Sequence, residues 1–86
     1  MDINHLSQIV KKKILEHEII ENVIIEDKTF LHKKHKSNEK EKFHLKLKIK
    51  SIELKKKNKI ESNKFIYKIL NKEMKDHIHS LQILFI

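Results

Sequence analysis

The sequence predicts an α+β domain in which helices cover one face of a three-stranded sheet. Three observations carry that reading. Phe43 to Lys50 alternates apolar and polar side chains over eight residues, the period of a half-buried strand with one wet face. Ile66, Ile69, Leu70 and Met74 recur at helical spacing, and Ile78 to Ile86 returns to strand character. Eighty-six residues suit one domain, spanning 1–86, with a single modest core, since a chain of this size buries roughly 60–65% of its unfolded surface.

Taken in order, Asp2 or Asn4 can cap a first helix, and Leu6, Ile9, Val10 and Ile14 follow on one side as far as about Glu16. Lys11, Lys12 and Lys13 near its middle read as a solvated face. Ile19 to Glu26 is rich in β-branched residues and reads as the first strand. Thr29 to Lys42 mixes Lys, His, Ser, Asn and Glu without a period, so a long polar loop is expected there, holding His32 and His35. Phe43 to Lys50 is the second strand, with Phe43, Leu45, Leu47 and Ile49 facing inward. Ser51 to Lys59 makes a short helical turn around Leu54. Ile60 to about Lys75 forms one long helix with Phe65, Ile66, Ile69, Leu70 and Met74 on its buried side. Ile78 to Ile86 closes the chain as the third strand. The order is α-β-β-α-α-β, with the first two strands paired as an antiparallel hairpin.

Composition sets limits on function. The net charge is +8, all 20 basic residues are lysine, and Arg, Ala, Gly, Pro, Cys and Trp are absent. The missing types are mostly specified by GC-rich codons and the abundant ones by AT-rich codons, so genome composition explains the lysine excess better than a polyanionic partner does. Without glycine, every turn falls to residues that accept left-handed geometry less readily. Without cysteine, the chain supplies neither disulfide nor thiolate. Met1 to His5 shows no targeting pattern, and the longest apolar run is far too short to span a bilayer. An intracellular, cytoplasmic home is the default, nuclear or mitochondrial sites staying open. No nucleophile–base pairing, phosphate loop or carboxylate pair stands out, so an enzyme is not expected.

Several segments together resemble the BolA-like family over nearly the whole chain. Ile25-Glu26-Asp27 matches its acidic-ended first strand, and His44-Leu45-Lys46-Leu47 its His-Phe-Lys-Val-like second strand. Ser51, then Leu70-Asn71-Lys72-Glu73-Met74 and Ile78-His79-Ser80-Leu81 follow in ungapped register from His44 to Leu81. Three places depart: the family's turn glycine falls at Lys56, its Arg-His-Arg at Ser62-Asn63-Lys64, and its Thr-Pro-x-x-Trp tail has no counterpart after Ile86. The resemblance implies a KH-like sandwich.

Seven histidines carry most of the remaining chemistry. By strand parity His79 shares a face with Leu81, Ile83 and Phe85, and from the residues alone it reads as a structural histidine satisfied by a nearby carbonyl rather than as a ligand. The resemblance implies more, since the family's invariant cluster-binding histidine aligns with His79. It further implies His35, nine residues before His44, as a second ligand, with His32 the weaker candidate. His32-x-x-His35 can also be read as a zinc half-site, a weak signal without cysteine. His44 reads as structural, and His5, His17 and His77 as surface residues.

The donor count agrees with what the resemblance implies. A two-iron two-sulfur cluster normally takes four thiolates, or two thiolates and two imidazoles in Rieske-type centres, so a chain without cysteine holds no such cluster alone. The family's partner is a monothiol glutaredoxin, which brings its cysteine and a bound glutathione, while this chain is expected to be monomeric when alone. The implied role is a non-enzymatic adaptor in iron–sulfur cluster trafficking, assembly or iron sensing, with cluster binding dependent on pH through the imidazoles.

The alternative is a nucleic-acid-binding transcription regulator using a helix-turn-helix-like surface. Lys55, Lys56, Lys57, Lys59 and Lys64 would contact phosphates weakly and without base preference. The Gly-x-x-Gly clamp of KH modules and the bidentate arginine of base readout are both missing from this sequence.

Overall fold

The computed structural model describes residues 2–29 and 42–86. Helix α1 spans Ile3–Leu15, with the Asp2 carboxylate accepting the His5 backbone N–H as its cap. Leu6, Val10 and Ile14 repeat every four residues and are fully buried, which pins this helix to the sheet. The chain leaves α1 through two successive tight bonds, His17 N–H to Ile14 O and Ile20 N–H to His17 O. Strand β1 then runs Asn22–Asp27. The first strand thus begins three residues later than the β-branched run predicts: Ile19 and Ile20 lie in the turn, and Ile20 is buried from there.

Strand β2 occupies Phe43–Lys50, and Leu45, Leu47 and Ile49 are buried while the lysines between them are not. Each such burial contributes about 1.5–3 kcal/mol. Strand β1 pairs antiparallel with β2, from Asn22 opposite Lys50 to Asp27 opposite Leu45. Strand β3, Ile78–Phe85, pairs parallel with β2 on its other side, giving the order β1-β2-β3. Parallel pairing demands a crossover, and three helices supply it.

Helix α2, Ile52–Lys56, starts at Ser51, whose hydroxyl accepts the Leu54 N–H and donates to Ile19 O at 2.7 Å. Helix α3, Lys59–Ile69, is capped by the Asn58 side chain, and the Ser62 hydroxyl ties it to α2 by donating to Leu54 O at 2.6 Å. Helix α4 spans Asn71–Asp76. The expected single long helix is therefore two, separated at Leu70, whose φ −99° and ψ 20° leave the helical region. Leu70 stays fully buried across the break, and the next turn presents Glu73 to the interior. Among the described residues no backbone φ is positive: the glycine-free turns avoid left-handed geometry instead of forcing it on bulky residues.

Buried residues from all three strands and from α1, α2 and α3 form one cluster, with Phe43, Phe65, Ile69, Met74, Ile83 and Phe85 packed against it. The other face of the sheet carries Lys46, Lys48, Ile24, Gln82 and Leu84 and no helix among the described residues.

Candidate functional site

The end of the sheet where β2 and β3 begin departs from regular pairing. From Leu45 opposite Leu81 to Ile49 opposite Phe85, the strands step together, and His44 faces Ser80. Phe43, however, faces Ile78, so β3 holds one extra residue, His79. An inserted residue of this kind re-aims a side chain locally. Ile78 takes the inward position, 2% exposed, and His79 is exposed. This corrects the parity expectation that placed His79 with Leu81, Ile83 and Phe85, since the extra residue shifts the alternation between Ile78 and Ser80.

The histidine ring stands instead beside that of His44. The ring centroids are 4.9 Å apart and the planes are tilted by 60°. His44 Nδ1 lies 2.6 Å from Ser80 Oγ, the residue it faces across the ladder. His44, set aside by the sequence reading among the lysines of the outer face, is thus a member of this corner. Pairing the starts of β2 and β3 in register would have flagged it, because His44 and His79 open parallel neighbours. Among the described residues no group of three or more His, Asp or Glu converges as a metal cluster.

Both ends of the segment between β1 and β2 are tied to the same corner. Lys28 N–H donates to His44 O at 2.7 Å, and Thr29 Oγ1 accepts the His44 N–H at 3.1 Å. On the other side, Phe43 N–H donates to His77 O and Lys42 Nζ to Lys75 O. His32 and His35 lie outside the described residues.

A cluster of opposite charge sits further along the outer face. Glu26 lies 3.5 Å from Lys48 Nζ and 3.7 Å from Lys28 Nζ. Partial desolvation pushes its carboxyl up, but Lys28, Lys48 and Lys46 together outweigh that and hold it below the ordinary carboxylate value. The lysines of the alternative reading lie elsewhere. Lys55 and Lys56 end α2, Lys57 leads into α3, and Lys59 and Lys64 belong to α3; all five are exposed. Ser62, where the family pattern has arginine, is fully buried and bonded to Leu54 O, so it faces no ligand. A groove of about 350 Å³ between α1 and β1 is lined by Ser7, Gln8, Lys11 and Ile24 and contains no histidine.

A model of the family described as BolA-like protein matches residues 15–85. Among solved structures, the BolA domain of SufE1 from Arabidopsis thaliana superposes with a TM-score of 0.73 at 21% identity, covering 99% of this chain and 92% of that one. BolA1 from Arabidopsis thaliana superposes with a TM-score of 0.73 at 23% identity, covering 91% and 86%. At such identities these likenesses speak for the fold alone. No curated protein sequence matches the chain.

Proposed function

The chain belongs to the BolA-like family, and from that premise we propose that it is a non-enzymatic adaptor pairing with a monothiol glutaredoxin to share a bridging two-iron two-sulfur cluster. The observation that carries this reading is the exposed imidazole of His79, turned out at the rim of the sheet by one extra residue in β3. A shared cluster needs a donor that a second protein can approach, and this is one.

The donor set fits. The chain has no cysteine, so it contributes imidazoles only, and the partner's cysteine and glutathione would complete a two-nitrogen, two-sulfur set. His79 is the principal ligand. His35 is the second, or His32 if the loop seats three residues earlier. His35 comes six residues after Thr29 and seven before Lys42, and six residues reach at most roughly 20 Å. Thr29, at one end of that loop, accepts the His44 N–H, and Phe43, next to Lys42 at the other end, donates to His77 O, so both ends of the loop start beside the His79 corner. A cluster held this way serves as cargo for trafficking or as an iron signal, in the cytoplasm on the default reading.

The test mixes the chain with a glutaredoxin-held cluster and follows visible absorbance and circular dichroism. Wild type is expected to give a heterodimer with a spectrum distinct from that of the glutaredoxin alone. His79→Ala is expected to lose that spectrum, and an unchanged heterodimeric spectrum in this variant would remove His79 from the site. His35→Ala should weaken cluster retention; a silent His35→Ala beside a damaging His32→Ala moves the second ligand to His32.

A second reading has one observation in its favour: five exposed lysines on α2, α3 and the turn between them, where Ser62 ties the two helices together. Nucleic-acid binding through Lys55, Lys56, Lys57, Lys59 and Lys64 would be indifferent to base sequence and would fall steeply with salt. Affinity that discriminates between base sequences contradicts a phosphate-only contact.

A further inference from the structure

We propose that α2 and the start of α3 form a peripheral docking tip for an anionic lipid surface. Two isoleucines carry the inference. Ile52 is 60% exposed and Ile60 is 65% exposed, and the next most exposed large apolar residue among those described is Ile24 at 47%. Codon usage accounts for how many isoleucines and lysines the chain has, but it does not choose which of them stand in water.

Both isoleucines open the same short pattern, Ile-Glu-x-x-Lys, at 52–56 and again at 60–64. A helix turns about 100° per residue, which fixes the neighbours of each. Lys55 and Lys56 lie within ~60° of Ile52 around α2, and Lys64 lies ~40° from Ile60 around α3. The residues two places on, Leu54 and Ser62, fall ~160° away on the opposite sides, and both are buried. The Ser62 hydroxyl donates to Leu54 O. The two helices are thus held through their inner sides, and each turns an isoleucine and its lysines away from the core.

Apolar and cationic groups side by side suit an anionic bilayer better than a polynucleotide. Lysine contacts to nucleic-acid phosphates need no aliphatic neighbour, whereas interfacial anchoring combines buried apolar area with attraction to anionic headgroups. From Ile52 to Lys64 there are five lysines and two carboxylates, Glu53 and Glu61, each carboxylate ~100° round its helix from the isoleucine before it. Among the described residues none of the five lysines is held in an ion pair, so their charge is available to headgroups. Each lysine close to a phosphatidylserine-rich surface strengthens binding roughly fivefold, and the isoleucines enter between the headgroups. The contact is peripheral, since no helix among the described residues is long and apolar enough to cross a membrane.

The test is flotation of the whole chain, free of any affinity tag, with vesicles of phosphatidylcholine alone and with vesicles carrying roughly a third phosphatidylserine. Binding is expected only to the second, and it should fall steeply as salt rises from about 0.1 M to about 1 M and the screening length shrinks. Ile52→Ser combined with Ile60→Ser is expected to weaken vesicle binding at least roughly tenfold. Lys55→Gln combined with Lys56→Gln should also weaken it at least roughly tenfold. Lys11→Gln combined with Lys12→Gln, equal in charge and exposed on α1, should weaken it far less. All six positions are exposed, so the variants are expected to stay folded, as checked by circular dichroism. No binding to the anionic vesicles, wild-type affinity in the isoleucine double variant, or equal losses in the two lysine pairs overturns the proposal. A chain that binds a single-stranded oligonucleotide but not the anionic vesicles at the same salt overturns it in favour of the nucleic-acid reading.

Discussion

His79 owes its exposure to one residue of register. Simple alternation would bury it beside Leu81, but Ile78 takes the inward place opposite Phe43 and His79 is left over. Period-2 reasoning has no way to see an inserted residue, which is why the identity of the candidate was legible in the sequence and its face was not. His44 shows the converse: its outward face was legible from the alternation of β2, while its partner was not, because contact across parallel strands depends on register. Glu26 gives a prediction at this scale. Its folded carboxyl lies below the ordinary value of 4.5 because lysines surround it. The ionised form is therefore favoured by folding, and the stabilisation is fully present above the unfolded value. It is lost as pH falls through the lower folded value. Glu26→Gln should flatten the fall in stability as pH drops below the ordinary carboxylate value of 4.5, as read by urea unfolding at a series of pH values. A variant with the same acid dependence as wild type contradicts the lysine assignment.

At the scale of elements, β2 was the most legible part, because each inward position is filled by Phe, Leu or Ile and each outward one by Lys or His. Ile19 and Ile20 misled for the same reason that β2 did not: β-branched side chains suit strands, yet here Ile20 is buried from a turn and tertiary packing overrides propensity. The break at Leu70 has no glycine or proline to announce it. One consequence of that break could not be read from charge patterning. Glu73 is 5% exposed and pairs at 2.6 Å with Lys13, joining α4 to α1. A lysine run on α1 was expected to be solvated; Lys11 and Lys12 are, and Lys13 is not wholly so. The Lys13 side chain keeps about a third of its exposure, so screening discounts the pair below the usual cost of breaking a buried one. Lys13→Met strands the buried carboxylate and should cost roughly 1–3 kcal/mol. Adding Glu73→Met should recover most of that loss. Denaturant midpoints of the two variants and the pair decide it, and a neutral Lys13→Met contradicts the tie.

At the scale of the whole molecule, the division of labour follows from which sheet face is covered. Helices occupy one face and fill the core, while the other face and the His79 corner remain accessible among the described residues. The order α-β-β-α-α-β was legible because each element keeps its own period, and the family match over residues 15–85 agrees with it. His32 and His35 lie outside the described residues, in a segment without sequence period, where neither propensity nor register assigns a place. No helix among the described residues is long and apolar enough to cross a membrane. On the proposed function, this cysteine-free chain gives nitrogen donors to a cluster whose thiolate donors come from elsewhere. Pulsed electron paramagnetic resonance on the reduced heterodimeric cluster, with only this chain labelled in ¹⁵N-histidine, reads that directly. Strong ¹⁵N couplings that disappear in His79→Ala are the predicted result; a reduced cluster with no strongly coupled ¹⁵N in the wild type contradicts the account.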